Sequence, residues 1–135
     1  MASFVHHGSQ IVNGSRLRVW RRDLGFWHVG IAIWQDGSSL VIHNQKGRGV
    51  IWSFLADFAH GEKVVVVDVP NAQHGAERVN RAIHFLGRAY DLVLFNCEHF
   101  VSLVCDGAAT SPQLKGAMGL VAVGGLVLWA LANAA

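Results

Sequence analysis

The chain has 135 residues and a formal charge of +2, with 52% apolar and 15% charged residues. That length suits a single domain whose core needs neither disulfides nor a metal, and the composition excludes a disordered chain. So small a net charge gives no ground for nucleic acid as a partner.

The first half reads as strands. RLRVWRR (16–22) alternates and carries a tryptophan among its arginines. The simple reading is a strand with one solvated face. The other is an anionic binding patch, for which a lipid headgroup surface serves as well as a phosphate backbone. WHVGIAIW (27–34) is bulky and branched, QDGSS (35–39) is a turn sequence, and LVIHN (40–44) returns as the second arm of a hairpin. GVIWSF (49–54) predicts a third strand, LADFAH a short helical stretch, and KVVVVDVP (63–70) a buried strand.

The period then changes. Between Asn71 and Gly87, apolar Ala76, Val79, Ile83 and Leu86 recur at helical spacing, with Gly87 as the stop. AYDLVLF (89–95) is a short link. Phe100, Val101, Val104 and Cys105 mark a second helix that begins near Cys97 and ends near Gly107. ATSPQ, with Pro112, is the one clear boundary, dividing a catalytic domain at 1–111 from a hydrophobic segment at 112–135. After Lys115 no charge follows. Twenty residues, GAMGLVAVGGLVLWALANAA (116–135), reach about 30 Å as a helix, which matches a bilayer's hydrocarbon core. A membrane anchor is the expectation, and a buried hairpin or core helix around Gly124 and Gly125 is the alternative.

Only two cysteines are present, Cys97 and Cys105, eight positions apart in a helical pattern. About 12 Å of rise separates them, beyond the roughly 7 Å Cα limit of a disulfide. Free thiols fit a reducing compartment. The N-terminus MASFVHHGSQ has no secretory pattern, so export by that route is not expected.

FNCEHF (95–100) concentrates the chemistry. Asn96 is a favoured N-cap, which puts Cys97 at the first helical position. Free N–H groups and the helix dipole there favour a thiolate, and the same N–H groups can hold an oxyanion. An imidazole must then move the proton. Of eight histidines, His28 lies inside an apolar strand and His43 on the returning arm, where it can orient the first ring. His99, two positions from Cys97, points about 200° away on a helix, and is expected to pack or bond near the helix start. Glu98 answers the dipole. His6, His7, His60 and His74 read as solvated, and His84 as structural. A zinc site from Cys97, His99 and Cys105 lacks specific spacing, and no cofactor is expected.

With those residues in hand, the chain resembles the lecithin:retinol acyltransferase-like family, which includes the HRAS-like suppressor phospholipases and acyltransferases. The match lies in YDLVLFNCEHFV (90–101), with NCEHF as the nucleophile motif, and in WHVGIAIW followed by VIHN. It covers the chain from about residue 10 to the end, including the hydrophobic segment. The resemblance implies Cys97 as nucleophile, His28 as base and His43 as third member. It also implies an α+β fold, an antiparallel sheet packed against helices in a circularly permuted NlpC/papain-like arrangement. Fourteen residues separate His28 from His43, a few more than in the family pattern, which leaves Asn44 and Gln45 as alternatives for the third position.

The expected function is thiol-dependent acyl transfer or hydrolysis on a phospholipid ester, by a protein held at a membrane with its catalytic domain on the cytoplasmic side. The alternatives are an NlpC-type peptidase or amidase using the same residues, and a membrane-anchored interaction protein without turnover.

Overall fold

The computed structural model describes residues 5–6 and 10–117, so the apolar segment from residue 118 onward lies outside the described residues. Six strands form one sheet: β1 (Val5–His6), β2 (Arg16–Arg21), β3 (Phe26–Ile33), β4 (Leu40–Gln45), β5 (Gly49–Phe54) and β6 (Val64–Asp68). Their order is β1-β6-β2-β3-β4-β5, antiparallel throughout except for the parallel pair β1–β6. Among the described residues, three helices complete the α+β fold, α1 (Leu55–Ala59), α2 (Ala72–His84) and α3 (Cys97–Asp106), and residues 112–117 are also helical.

Period-two alternation divides the apolar side chains between two cores. On one face Leu17, Val19, Ala32, Val41 and Val64 pack with Phe58 and Ala59 of α1. On the other, Ile31, Ile42 and Val50 pack against Ala82 of α2 and Phe100, Val101 and Val104 of α3. The sheet is therefore covered on both sides, thinly by α1 and more fully by the helix pair.

Two expectations change. KVVVVDVP is only partly buried: Val64 is enclosed, but Val67 and Val69 are each 46% exposed. The reason is position, since β6 has only the two-residue β1 beyond it. In α2 the buried residues are Gly75, Val79 and Ala82, whereas Ala76, Ile83 and Leu86 are exposed. Gly75 sets this rotation. A Cβ there would collide with the Asn13 carbonyl, so the helix docks through its smallest residue. The helix also ends at His84, which is exposed, and residues 85–87 form a turn.

The basic strand buries Leu17 and Val19, and its arginines are engaged by other side chains. Arg16 pairs with Asp68 at 3.0 Å and Asp106 at 2.8 Å, Arg21 with Asp23 at 2.7 Å, and Arg22 with Glu62 at 3.2 Å. Arg18 stacks over Trp27, 4.2 Å from the ring centroid.

Candidate active site

The β3–β4 ladder is incomplete. It runs from Ile33↔Leu40 to Gly30↔His43 and stops there. Beyond it, residues 26–29 continue to pair with β2, and Asn44 and Gln45 with β5, but not with each other. The split between them is where α3 begins. Asn44 Nδ2 donates to the Phe95 carbonyl at 2.8 Å and to the Asn96 carbonyl at 3.3 Å, holding the helix start against the opening.

Asn96 is the N-cap, as its residue type predicts. Its Oδ1 accepts from the N–H groups of Glu98 and His99 at 2.9 and 3.0 Å, and His99 Nδ1 accepts from the Asn96 N–H at 3.0 Å. This reciprocal cap gives His99 the helix-start bond expected of it. It also engages donors that the sequence left open for an oxyanion, since the Glu98 and His99 N–H groups already have an acceptor.

Cys97 is 5% exposed. Burial pushes its thiol up to about 11, against the pull of the Val29 N–H and with a further push from the Glu98 carboxylate. The N–H groups of Glu98 and Cys97 itself also favour the thiolate, without overcoming burial. The resting thiolate expected from the helix start is therefore not the form present at neutral pH. Desolvation outweighs the dipole.

His28 and His43 meet on the face opposite α3. In this register His43 faces Gly30, two residues beyond His28, so the two side chains are diagonal neighbours on one face. The rings stand edge to face with centroids 4.9 Å apart, and His28 Nε2 lies 2.7 Å from His43 Nδ1. Both rest on Phe58, at 5.4 and 5.3 Å. His43 Nε2 continues to Ser53 Oγ at 2.8 Å. Burial, followed by the neighbouring His43 and Arg21, lowers His28 to about 3. Burial, then Arg48 and Arg21, lowers His43 to about 4. Both imidazoles are neutral at neutral pH.

The split joins the two faces. His28 and Cys97 line one cleft of about 220 Å³, together with Phe26, Asn44, Gln45 and Tyr90. Cys97 also borders an apolar groove of about 250 Å³ formed with Phe26, Tyr90, Leu92, Leu114 and Ala117. Of the three candidates for the third position, His43 is the one bonded to His28, while Asn44 clamps α3.

Glu98 does more than face the helix dipole. Its Oε1 accepts from Ser111 Oγ at 2.8 Å and from the Gln113 N–H at 3.0 Å. Gln113 in turn brackets the residue before His28: its Oε1 accepts from the Trp27 N–H at 2.9 Å, and its Nε2 donates to the Trp27 carbonyl at 2.8 Å. The bonds of Gln113 cross the boundary expected between residues 111 and 112. Ser53, Gln113 and Tyr90 were not singled out from the sequence. Only Ser53 had a signal there, through the alternation of GVIWSF. Among the described residues, no group of three His, Cys, Asp or Glu side chains is placed to hold a metal ion.

A helix-start cysteine sharing a cleft with His28, the first of a neutral histidine pair, on a split antiparallel sheet, defines a thiol–imidazole site on an α+β fold. The family model for lecithin retinol acyltransferase matches residues 2–110. The chain belongs to that family, a family of acyltransferases. A search of curated proteins finds no match.

Proposed function

We propose that the protein is a thiol-dependent acyltransferase or hydrolase that takes the acyl group of a phospholipid ester through a Cys97 thioester. The observation that carries this reading is the common cleft of Cys97 and His28, with the apolar groove beside the sulfur. A groove lined by Phe26, Leu92 and Leu114 suits a fatty acyl chain better than a peptide backbone, which would need hydrogen-bond partners.

His28 Nε2 is committed to His43, so Nδ1 is the nitrogen left for the thiol. That fixes the tautomers. His28 Nε2–H donates to His43 Nδ1, and His43 Nε2–H donates to Ser53 Oγ. With a thiol near 11 and an imidazole near 3, a resting ion pair is unfavourable, so the proton moves as the substrate is attacked. Sulfur bonds to the ester carbonyl carbon while the thiol proton passes to His28 Nδ1. The N–H groups of Cys97 and Val29, which both favour the thiolate, serve in this reading as the donors for the oxyanion. The carbon–oxygen bond to the glycerol then breaks, and the departing oxygen takes the proton from His28. Water or an amine repeats the sequence in reverse. It gives its proton to His28, bonds to the acyl carbon, and returns the sulfur as a thiol.

In this reading residues 116–135 anchor the protein to a membrane, with the thiol on the cytoplasmic side, where it stays reduced. No helix among the described residues is long and apolar enough to cross a membrane. The test is intact mass spectrometry after incubation with phospholipid. An acyl-sized increment that disappears in Cys97→Ser is expected. No increment would favour a non-catalytic interaction protein, and cleavage of peptide amides with lipid left intact would favour an amidase.

A further inference from the structure

His28 lines a second space, on the α1 side of the sheet, of about 610 Å³. It shares three lining residues with the Cys97 cleft, Arg21, His28 and Gln45. Its character is different. Where the groove beside the sulfur is apolar, this cavity is bordered by two arginines, Arg21 and Arg48, and by His43, Ser53 and His60.

Arg48 is the informative residue. It sits in the β4–β5 turn, and among the described residues it forms no ion pair, whereas Arg16, Arg21, Arg22 and Arg78 all do. The turn that carries it is pinned. The Arg48 N–H donates to the Gln45 carbonyl at 3.0 Å, the Val50 N–H to the Arg88 carbonyl at 2.9 Å, and the Gly87 N–H to the Val50 carbonyl at 2.9 Å. Gly49 makes this close approach possible, with φ at +78° and no room for a Cβ against the Arg88 carbonyl. A guanidinium on a fixed base, facing a cavity without a bound carboxylate, is a site prepared for an anion. Asp57 is the single acid among the lining residues, and it belongs to α1, so an anion is favoured at the β4–β5 end.

The hydrogen-bond chain leads to the same place. With His28 donating to His43 and His43 to Ser53, the Ser53 hydroxyl proton is free to donate onward into the cavity that Ser53 lines. Guanidinium and hydroxyl together are donors for a tetrahedral oxyanion.

We infer that this cavity binds a phosphate group, held by Arg48 and the Ser53 hydroxyl. The inference rests on the catalytic reading above only for its source. In a phospholipid the phosphate lies a short glycerol bridge from the ester, which suits one molecule reaching both spaces around their shared residues, Arg21, His28 and Gln45. A free phosphate has the same chemistry.

The experiment is a binding titration on the full chain in non-ionic detergent, followed by the His43 ring signals in NMR and by the emission of Trp52, which borders the cavity. The probes are sn-glycero-3-phosphocholine, inorganic phosphate and choline chloride. The two phosphate compounds are expected to saturate a site and choline is not. Tighter binding of the glycerophosphodiester identifies a lipid headgroup as the source, and tighter binding of inorganic phosphate identifies the free ion. Arg48→Gln should weaken binding by about tenfold or more, the loss expected for a charge-assisted bond, and Arg48→Lys should restore part of it. Equal binding by choline, or no change in Arg48→Gln, overturns the inference. Cys97→Ser should bind phosphate as the parent does. If phosphate binds but no acyl adduct ever forms, the catalytic reading fails alone.

Discussion

The two ends of the β3–β4 hairpin are built from the same two strands and do different work. At the turn end, from Gly30↔His43 to Ile33↔Leu40, the ladder is closed and both faces are core. At the open end the strands part, keeping only their outer partners, and the gap receives the start of α3 and the Cys97 thiol. The site is made by withholding a few cross-strand bonds in the middle of a sheet. The thiol sits on one face, the imidazoles on the other, and the split is their meeting place. The closed end holds the register that makes His28 and His43 diagonal neighbours.

The largest effect should come from the open end. Cys97→Ser is expected to lower acylation by at least about 10³-fold, as loss of a nucleophile does. Cys105→Ser, at the far end of α3, should be nearly silent. Labelling by a thiol-directed acyl probe, read by mass, separates the two, and a label on Cys105 would reverse the assignment. Next comes the histidine pair. His28→Ala should cost about 10²–10⁴-fold in turnover. His43→Ala should cost less, because it acts through His28 and touches neither sulfur nor ester. A greater loss at His43 in steady-state rates would exchange the roles.

Acid should then expose how far the pair depends on burial. In the unfolded chain the two imidazoles take protons near pH 6.5, but in the native protein only near 4 and 3. Depressed native values mean that the unfolded state binds more protons, so stability falls as pH drops from about 6.5 toward 4. The loss is on the order of several kcal/mol, and denaturant titrations at stepped pH would measure it. A midpoint unchanged across that range would mean that the rings are not buried as described. Alkylation of Cys97 by iodoacetamide should correspondingly climb about tenfold per pH unit toward pH 11, with no plateau near neutrality.

A smaller effect is expected at the edge of the split. Asn44→Leu removes the bonds to the Phe95 and Asn96 carbonyls and should cost about 1–3 kcal/mol. Its melting temperature should fall, and its turnover should fall further than the stability loss alone implies, because α3 loses its clamp. Truncation after Ala117 should matter least for the chemistry. It keeps the Gln113–Trp27 bracket, so acylation by a short-chain soluble ester should survive while activity on bilayers declines. Loss of near-UV circular dichroism in that chain would instead make the tail part of the core.

What could be read from the residues follows the range of the interaction that decides it. The hairpin around QDGSS, the strand GVIWSF, and the Asn96-to-Gly107 limits of α3 depend on neighbours in sequence, and they stand as expected. The buried face of α2 depends on Gly75 meeting Asn13, a contact of which the apolar period carries no trace. The split beyond Gly30 was equally invisible, since alternation records which face a side chain takes and not whether a strand has a partner. The site shows the same division. Cys97, His28 and His43 stand out by residue type, whereas the alternation around Ser53 gives its face but not its bond to His43. Gln113 binds Trp27 from a distant segment, and nothing near either residue announces it. The thiol's charge state was misread for a related reason: the helix start is local, but the burial that overrides it comes from the whole fold.

The stitching of residues 111–113 to Glu98 and Trp27 has a mechanical consequence. If 116–135 is the membrane anchor, the leash between anchor and site has almost no slack, because Gln113 is already fastened to the strand that carries His28. A slack leash lets an enzyme tumble over the lipid surface and meet it at any angle. Here only Leu114 and Lys115 separate Gln113 from residue 116, and Leu114 itself borders the apolar groove beside Cys97. With such an anchor, bilayer and sulfur would be held in one fixed pose, and a flexible Gly–Ser insertion after Lys115 would act as a loosened hinge, lowering turnover on vesicles while sparing soluble esters.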